Sequence, residues 1–364
     1  MAERRTALVY DERCLLHVPP GGVPAGGLPA WTTVAPFERP ERLSLTWRAL
    51  EASGLLAALQ RVEPRFATED ELRLVHTDGH VRRLLEATSG GGLVEVGPDA
   101  WCGPGTHDAM RLAAGGLLEA TSAVLDGTAD NAFALLRPPG HHAGPDGAMG
   151  FCLVNNTALA ARWAQRERGL ERVAIVDWDV HHGNGTEDIF LDDPTVLTVS
   201  LHQENHYPPD RGGLEVGGTG AGAGFNVNVP LPAATGNHGY LHAFDRVVAP
   251  VVRAFAPDLL LIAAGQDAAA TDPLGRMSVT VPGFRGLADR AVALARELCG
   301  GRLVAMLEGG YSLLYLPLAT HAILEGFAGL PPTFAADPVG VDAPATLREV
   351  EWAAVAAAEE VHLG

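Results

Sequence analysis

Arg172-Val-Ala-Ile-Val-Asp177-Trp-Asp179-Val-His181-His182-Gly183-Asn184-Gly185-Thr186 is the stretch on which the fold reading turns. Val173 to Val176 is an unbroken apolar run, the pattern of a strand covered on both faces, and such strands occur mainly in parallel sheets flanked by helices. Beyond it Asp177, Asp179 and His181 alternate. If extended geometry persists, their side chains leave on one face, toward the crevice at the carboxyl ends of the strands where open α/β sheets bind ligands. Gly183 and Gly185 then let the backbone turn. One Asp or His at a strand end is usually a cap or a solvated loop residue; three on one face point to chemistry.

The same unit, buried strand followed by a polar, glycine-rich loop, recurs outward from this stretch. Before it, Ala132 to Leu136 runs into Arg137-Pro-Pro-Gly140-His141-His142-Ala-Gly144, and Asn155 or Asn156 caps a helix through Arg166. After it, Thr195 to Leu201 and Phe225 to Pro230 read as strands. Asp258 to Ala264 ends in Gly265-Gln266-Asp267, and Leu303 to Leu307 ends in Glu308-Gly-Gly310-Tyr311. Helices are predicted for Arg39 to Ala52, Glu69 to Thr88, a segment capped by Thr106 and running to Leu125, His238 to Ala254, Pro282 to Cys299 and a tail from Ala345 to Glu360. Thr6 to Tyr10 is a first strand, Gly90 to Pro98 a loop, and the Gly- and Pro-rich segment from His17 to Pro36 is expected to rim a binding site. His76 and His80 are four apart on the expected helix, but no third ligand follows, so a structural or surface role is expected. No repeat or low-complexity linker divides the chain. The reading is an α/β protein, one domain over residues 1–364 with a catalytic core of about 5–330, built on a mostly parallel sheet with helices on both faces.

Composition bounds the function. With 364 residues and 47% hydrophobic content the chain can bury a large core. No apolar run approaches the ~20 residues that span a bilayer. The apolar segment after Arg4 and Arg5 ends at Tyr10, too short for a signal peptide, so a cytoplasmic protein with no membrane partner is expected. Cys14, Cys102, Cys152 and Cys299 are scattered without a C-x-x-C pair, which argues against a disulfide framework or a cysteine zinc ribbon. A net charge of −18 argues against a nucleic-acid partner, because such affinity comes from Lys and Arg neutralising phosphates.

The chemistry follows from residue types. Asp179, His181 and Asp267, from two strand ends, supply one imidazole and two carboxylates and leave coordination open for water and substrate, a donor set that suits Zn²⁺ and is tolerated by octahedral metals. The His141-His142 pair offers a proton acceptor and donor. Tyr311, on a Gly-Gly turn, offers a phenol to a developing oxyanion. Asp177 and Asn184 are candidates to orient the two histidines. An ionised Asp raises an imidazole's proton affinity more than a neutral Asn does, so the two should differ in pKa, with the Asn-partnered one better placed to shuttle protons.

Together Arg137-Pro-Pro-Gly-His-His-Ala-Gly, Asp177-Trp-Asp-Val-His-His-Gly-Asn-Gly-Thr, Gly265-Gln-Asp with Asp272-Pro-Leu-Gly, and Glu308-Gly-Gly-Tyr resemble the zinc-dependent histone deacetylase family. The second motif looks like the class II branch and the bacterial histone deacetylase-like and acetylpolyamine amidohydrolases. The resemblance runs from about Ala7 to Phe327. It implies an arginase/deacetylase fold with an eight-stranded parallel sheet, the active site at the carboxyl ends of its strands, and hydrolysis of N-acetyl groups on amines. Carried over by position, it implies zinc on Asp179, His181 and Asp267, His142 as general base and acid with Asn184 behind it, His141 as electrostatic partner held by Asp177, and Tyr311 polarising the carbonyl. It further implies that Asp99 binds the substrate's N–H at the rim, that Gly150, Phe151 and Tyr207 line an acyl-lysine channel, and that potassium binds at Asp177, Asp179, His181, Ser200 and Leu201.

This sequence departs from the family pattern at Gln266, where an aromatic is usual, and at Ala148 and Met149 before the channel wall. Tyr311 argues for activity, because some class II members carry His there. Leu274 lacks the charge that polyamine-specific relatives place after Asp-Pro to hold a distal ammonium. The expected partner is therefore an acetylated lysine in a peptide or protein, or a similar small acetylated amine; a polyamine or biosynthetic substrate is the alternative, and a catalytically silent acyl-binding module a further one. A homo-oligomer is compatible with all three.

Overall fold

The computed structural model describes residues 4–20, 35–341 and 343–364. In chain order it forms β1 (Thr6–Val9), α1 (Glu41–Ala52), β2 (Leu59–Val62), α2 (Glu69–Leu72), α3 (Asp78–Ser89), β3 (Val94–Gly97), β4 (Ala100–Cys102), α4 (Thr106–Leu125), β5 (Asn131–Ala134) and α5 (Asn156–Arg168). Then follow β6 (Val173–Asp177), α6 (Asn184–Phe190), β7 (Val196–Gln203), β8 (Asn226–Leu231), α7 (Asn237–Ala243), a π-helical turn Phe244–Val248, α8 (Ala249–Phe255), β9 (Leu259–Ala264), α9 (Val281–Leu298), β10 (Leu303–Leu307), α10 (Tyr315–Ala328) and α11 (Glu349–Leu363).

Eight strands form one sheet in the order β2-β1-β5-β10-β9-β6-β7-β8, and each neighbouring pair is parallel. The sheet is the single α/β domain expected. Every residue of β5, β6, β9 and β10 is buried, as the apolar runs require of strands covered on both faces. The chain leaves a gap between β5 and β6 and fills it later with β9 and β10. The loops that follow β5, β10, β9 and β6 therefore leave side by side at the carboxyl ends of the four central strands. In register, Asp177 lies beside Ala263 and Ser200, and Leu307 beside Ala264. The motif loops thus start at one level.

Several local expectations change. Glu69 to Thr88 is two helices, because Thr68 opens α2 with a capping box to Glu71 and Thr77 caps α3 by accepting from the His80 backbone N–H. The stretch expected as loop before Asp99 contains β3, which pairs antiparallel with β4 and puts Asp99 on the connecting turn. Gly105, at φ +79°, caps α4; Thr106 Oγ1 instead accepts from the Gly103 N–H at 2.8 Å and pairs with His17 Nδ1. Asn155 is the cap of α5. Strand geometry stops at Asp177, so the alternation does not persist through His181. Of the expected rim segment, residues 21–34 lie outside the described residues, while His17 is buried and so is not on the rim. No helix of the described residues is long and apolar enough to cross a membrane, and all four cysteines are buried and unpaired.

Candidate active site

The turn after β6 brings Asp179 and His181 against Asp267 from the loop after β9. One ligand atom from each lies within 4.8 Å of the others. Backbone amides aim the carboxylates: the Gly309 N–H donates to Asp179 Oδ2 at 2.7 Å and the Val180 N–H to Asp267 Oδ1 at 2.8 Å. His181 Nδ1 sits 3.0 Å from Asp179 Oδ1 and 3.2 Å from Asp267 Oδ2. The backbone is kept thin here. A Cβ on Gly309 would stand 1.9 Å from Asp267 Oδ2, and one on Gly265 would stand 2.2 Å from Asp179 Oδ2, so neither loop tolerates a side chain.

These residues fit a divalent cation. Asp267 Oδ2 is buried without a hydrogen-bond donor, which leaves a lone pair for a metal. The two carboxylates also repel: burial and the neighbouring Asp179 push the Asp267 carboxyl up to about 7. Asp179 is held far below the usual carboxylate range, because His141 and His181 outweigh its burial. A bound cation removes that conflict. A nitrogen and two carboxylates are a donor set for zinc.

The loop after β5 carries the histidine pair, with ring centroids 4.0 Å apart. His141 Nδ1 lies 2.8 Å from Asp177 Oδ2, and His142 Nδ1 lies 2.7 Å from Asn184 Oδ1. Their proton affinities separate as the sequence predicts. Burial opposes charge on His141, but Asp179 and Asp177 outweigh it and raise its pKa well above the usual value. Burial, then the positive neighbours His141 and His181, depress that of His142. The loop is clamped from below. Glu308 accepts from the Gly140 N–H at 2.6 Å and the His141 N–H at 3.1 Å, while buried Arg137 pairs with buried Glu38 and donates to the Cys14 and His17 carbonyls.

Tyr311 follows β10. Its backbone N–H and that of Ser312 donate to Asp272 Oδ2 at 2.6 and 3.0 Å, and Asp272 Oδ1 accepts from the Leu274 N–H. One carboxylate thus sets both the tyrosine turn and the Leu274 wall. Burial, opposed by the Arg42 guanidinium over the ring at 4.8 Å, raises the phenol's pKa well above its usual value, so it stays protonated.

These groups meet at a cavity of about 340 Å³ lined by His142, His181, Tyr311, Gly150, Phe151, Tyr207, Asp99, Leu274, His206 and Phe37. Every residue the resemblance assigned to the rim or channel is among them. Gly150, at φ +52°, is required: a Cβ there would lie 2.5 Å from His142 Cδ2. Of the expected potassium residues, Asp177 and Ser200 are register partners on β6 and β7, and Leu201 is the next, buried residue. Both Asp177 oxygens are already engaged, by His141 Nδ1 and by the Asp179 N–H.

Sequence reasoning did not find Arg42, Glu38, Phe37 or His206 as members of this site. Arg42 is buried and donates to the Gly310 and Glu308 carbonyls from α1, more than 250 positions earlier in the chain. His206 stacks on His181 at 5.3 Å and pairs with the Leu274 carbonyl oxygen. For His206 the available signal was its place immediately before Tyr207 in the loop after β7; Arg42 had none.

Comparison with known proteins agrees with the geometry. Residues 36–327 match the histone deacetylase domain. The chain is 42% identical over 333 residues to a histone deacetylase-like amidohydrolase of Pseudomonas aeruginosa, covering 90% of this chain and 87% of that one. It is 42% identical over 295 residues to a probable deacetylase of Archaeoglobus fulgidus, covering 80% and 81%. The crystal structure of the HDA15 HD domain superposes with a TM-score of 0.86 at 36% identity, covering 100% of this chain and 95% of that one. The fold and these matches define a hydrolase acting on amides. The chain belongs to the histone deacetylase family.

Proposed function

We propose that this protein is a zinc-dependent deacylase that removes acetyl or similar acyl groups from the ε-nitrogen of lysine in peptides or proteins, or from comparable linear amines. The observation that carries the reading is the single cavity in which His142, His181 and Tyr311 meet beneath a wall of Gly150, Phe151 and Tyr207. Asp179, His181 and Asp267 would hold the zinc, and potassium would lie deeper, near Asp177, Ser200 and Leu201. When bound, zinc supplies Lewis acidity that activates water and polarises an amide carbonyl.

The protein's own groups divide the remaining work. His142 is kept neutral by burial and by the charge on His141, so it accepts the proton of the attacking water and returns it to the leaving amine. Asn184 fixes its tautomer through Nδ1. His141, held charged by Asp177 and Asp179, stabilises the negative charge that develops as the tetrahedral intermediate forms. The protonated Tyr311 phenol donates to the carbonyl oxygen, and Arg42 holds the ring from behind. Phe151, edge-on to Tyr311 at 5.7 Å, and Tyr207 would sandwich the methylenes of an acyl-lysine. Asp99, exposed on the β3–β4 turn, would accept the substrate's N–H. Leu274 gives the opposite wall no charge, which disfavours a polyamine's distal ammonium.

The test is turnover of a fluorogenic acetyl-lysine peptide and of N-acetylputrescine, side by side, by zinc-loaded wild type and by Tyr311→Phe. Peptide cleavage that falls by about 10²-fold or more in the variant supports the reading. Preference for the acetylated diamine would replace the peptide substrate with a polyamine, and no turnover of either by zinc-loaded protein would overturn both.

A further inference from the structure

A second cavity, of about 380 Å³, opens at the amino-terminal end of the sheet, opposite the active site. Its walls come from three neighbours in the sheet: Arg4 and Arg5 lead into β1, Gly127 and Asp130 lie on the α4–β5 connection, and Arg296 and Arg302 flank the α9–β10 connection. Four arginines therefore line one opening in a protein whose net charge is −18. Among the described residues the lining contains one carboxylate, Asp130, and it is engaged by the Arg5 backbone N–H at 2.9 Å and side chain at 2.6 Å.

The other three guanidinium groups have no acidic partner among the described residues. Arg4 donates through Nε and Nη2 to the Phe327 and Gly326 carbonyls, and its Nη1 is buried. Arg302 makes one long contact, 3.4 Å, to the Asp258 carbonyl oxygen. Arg296 takes part in no salt bridge, and its stem lies against Gly301, where a Cβ would meet its Cγ at 3.7 Å. Their proximity is felt: Arg4's pKa is lowered by burial and then by Arg296, with Asp289 and Asp130 acting in the opposite direction. Like charges brought together are costly unless an anion completes the arrangement.

We propose that this cavity binds a phosphorylated small molecule, its phosphate received by Arg296 and Arg302 while Arg4 stays on the Phe327 and Gly326 carbonyls and Arg5 stays paired with Asp130. Guanidinium groups match phosphate oxygens bidentately and keep their charge at any physiological pH. The volume exceeds what one phosphate occupies and falls in the range that encloses a small organic ligand, so a phosphate monoester of sugar or nucleoside size fits better than the free ion.

Titration calorimetry with glucose 6-phosphate tests this, with glucose as the uncharged control. The cell holds the full-length zinc-loaded protein or its Arg296→Ala/Arg302→Ala variant. Neither side chain has an ion pair in the described structure, so the variant should keep amide hydrolysis, which reports its folding; Arg296→Gln and Arg302→Gln singly repeat the test with less perturbation. Saturable binding of the phosphate ester, absent for glucose, weakened by salt and weakened about tenfold or more in the variant, is expected. No saturable binding up to about 10 mM overturns the proposal. So does binding that the variants retain unchanged, which would place the phosphate elsewhere, at the metal centre above all.

Discussion

Two histidine pairs stand on either side of one loop, His76 with His80 and His141 with His142. All four rings are buried, and their centroids are 4.8 Å apart in the first pair and 4.0 Å in the second. The first pair is tied to backbone. His76 Nδ1 donates to the Gly144 carbonyl oxygen at 2.9 Å and its Nε2 accepts from the Asn155 N–H at 2.9 Å, while His80 Nε2 donates to the Leu153 carbonyl oxygen at 2.8 Å. The second pair is tied through Nδ1 to the side chains of Asp177 and Asn184, and the His142 ring lines the cavity. Burial and pairing therefore do not distinguish a scaffold from the proposed catalyst; a ring that faces the cavity does. The first pair also braces the loop that carries the second, since Gly144, Leu153 and Asn155 all follow His141 and His142 within that connection.

The largest effect that would sharpen this contrast is His142→Ala, expected to lower kcat on the order of 10²- to 10⁴-fold with melting temperature little changed. Equal loss in His76→Ala, per folded molecule, would break the contrast. Gly150→Ala should come next: the new Cβ would displace the His142 ring, and a misplacement near 1 Å costs up to about 10²-fold in kcat. Wild-type rates in that variant would show that the ring does not need its present position. His76→Ala leaves the Gly144 carbonyl and the Asn155 N–H unpaired, so denaturant unfolding should show a loss of about 1–3 kcal/mol, with turnover changed only severalfold.

The smallest effect is in pH. Burial lowers the His76 pKa to about 3, below the usual 6.5. Its folded pKa is depressed, so the unfolded chain takes the proton first. Its contribution to stability is present above about pH 6.5 and is lost as the pH falls toward 3. His17, lowered to about 4 by burial, acts in the same direction. In His76→Ala the decline of stability between pH 6 and 4 should be shallower than in wild type, by at most about 1.4 kcal/mol per pH unit. An unchanged slope would mean that His76 does not titrate with unfolding.

What was legible followed from local pattern. The apolar runs at Val173–Val176, Leu259–Ala264 and Leu303–Leu307 announce strands buried on both faces, and the polar residues at their ends announce a site. Periodicity gives nothing for α10, because Tyr315–Ala328 is buried on nearly every side and carries no polar face to set a helical rhythm. β2 escaped for the opposite reason: Leu59–Val62 is a half-exposed edge strand of four residues with Gln60 and Arg61 at its centre. The expectation of one helix through His76 and His80 overlooked Thr77 as a second start signal.

The sequence by itself determined which residue types stand at strand ends, among them a carboxylate and imidazole set with metal-ligand chemistry, a histidine pair and a phenol. Tertiary structure alone decided that β9 and β10 enter between β5 and β6, which is what makes those loops neighbours. It also decided that Arg42 from α1 underlies Tyr311, that Asp272 holds both Tyr311 and Leu274, and that arginines from three connections meet at the far end of the sheet. The reason is physical. Short-range pattern reports what one element buries, whereas contacts between residues hundreds of positions apart depend on strand order, which no local periodicity encodes.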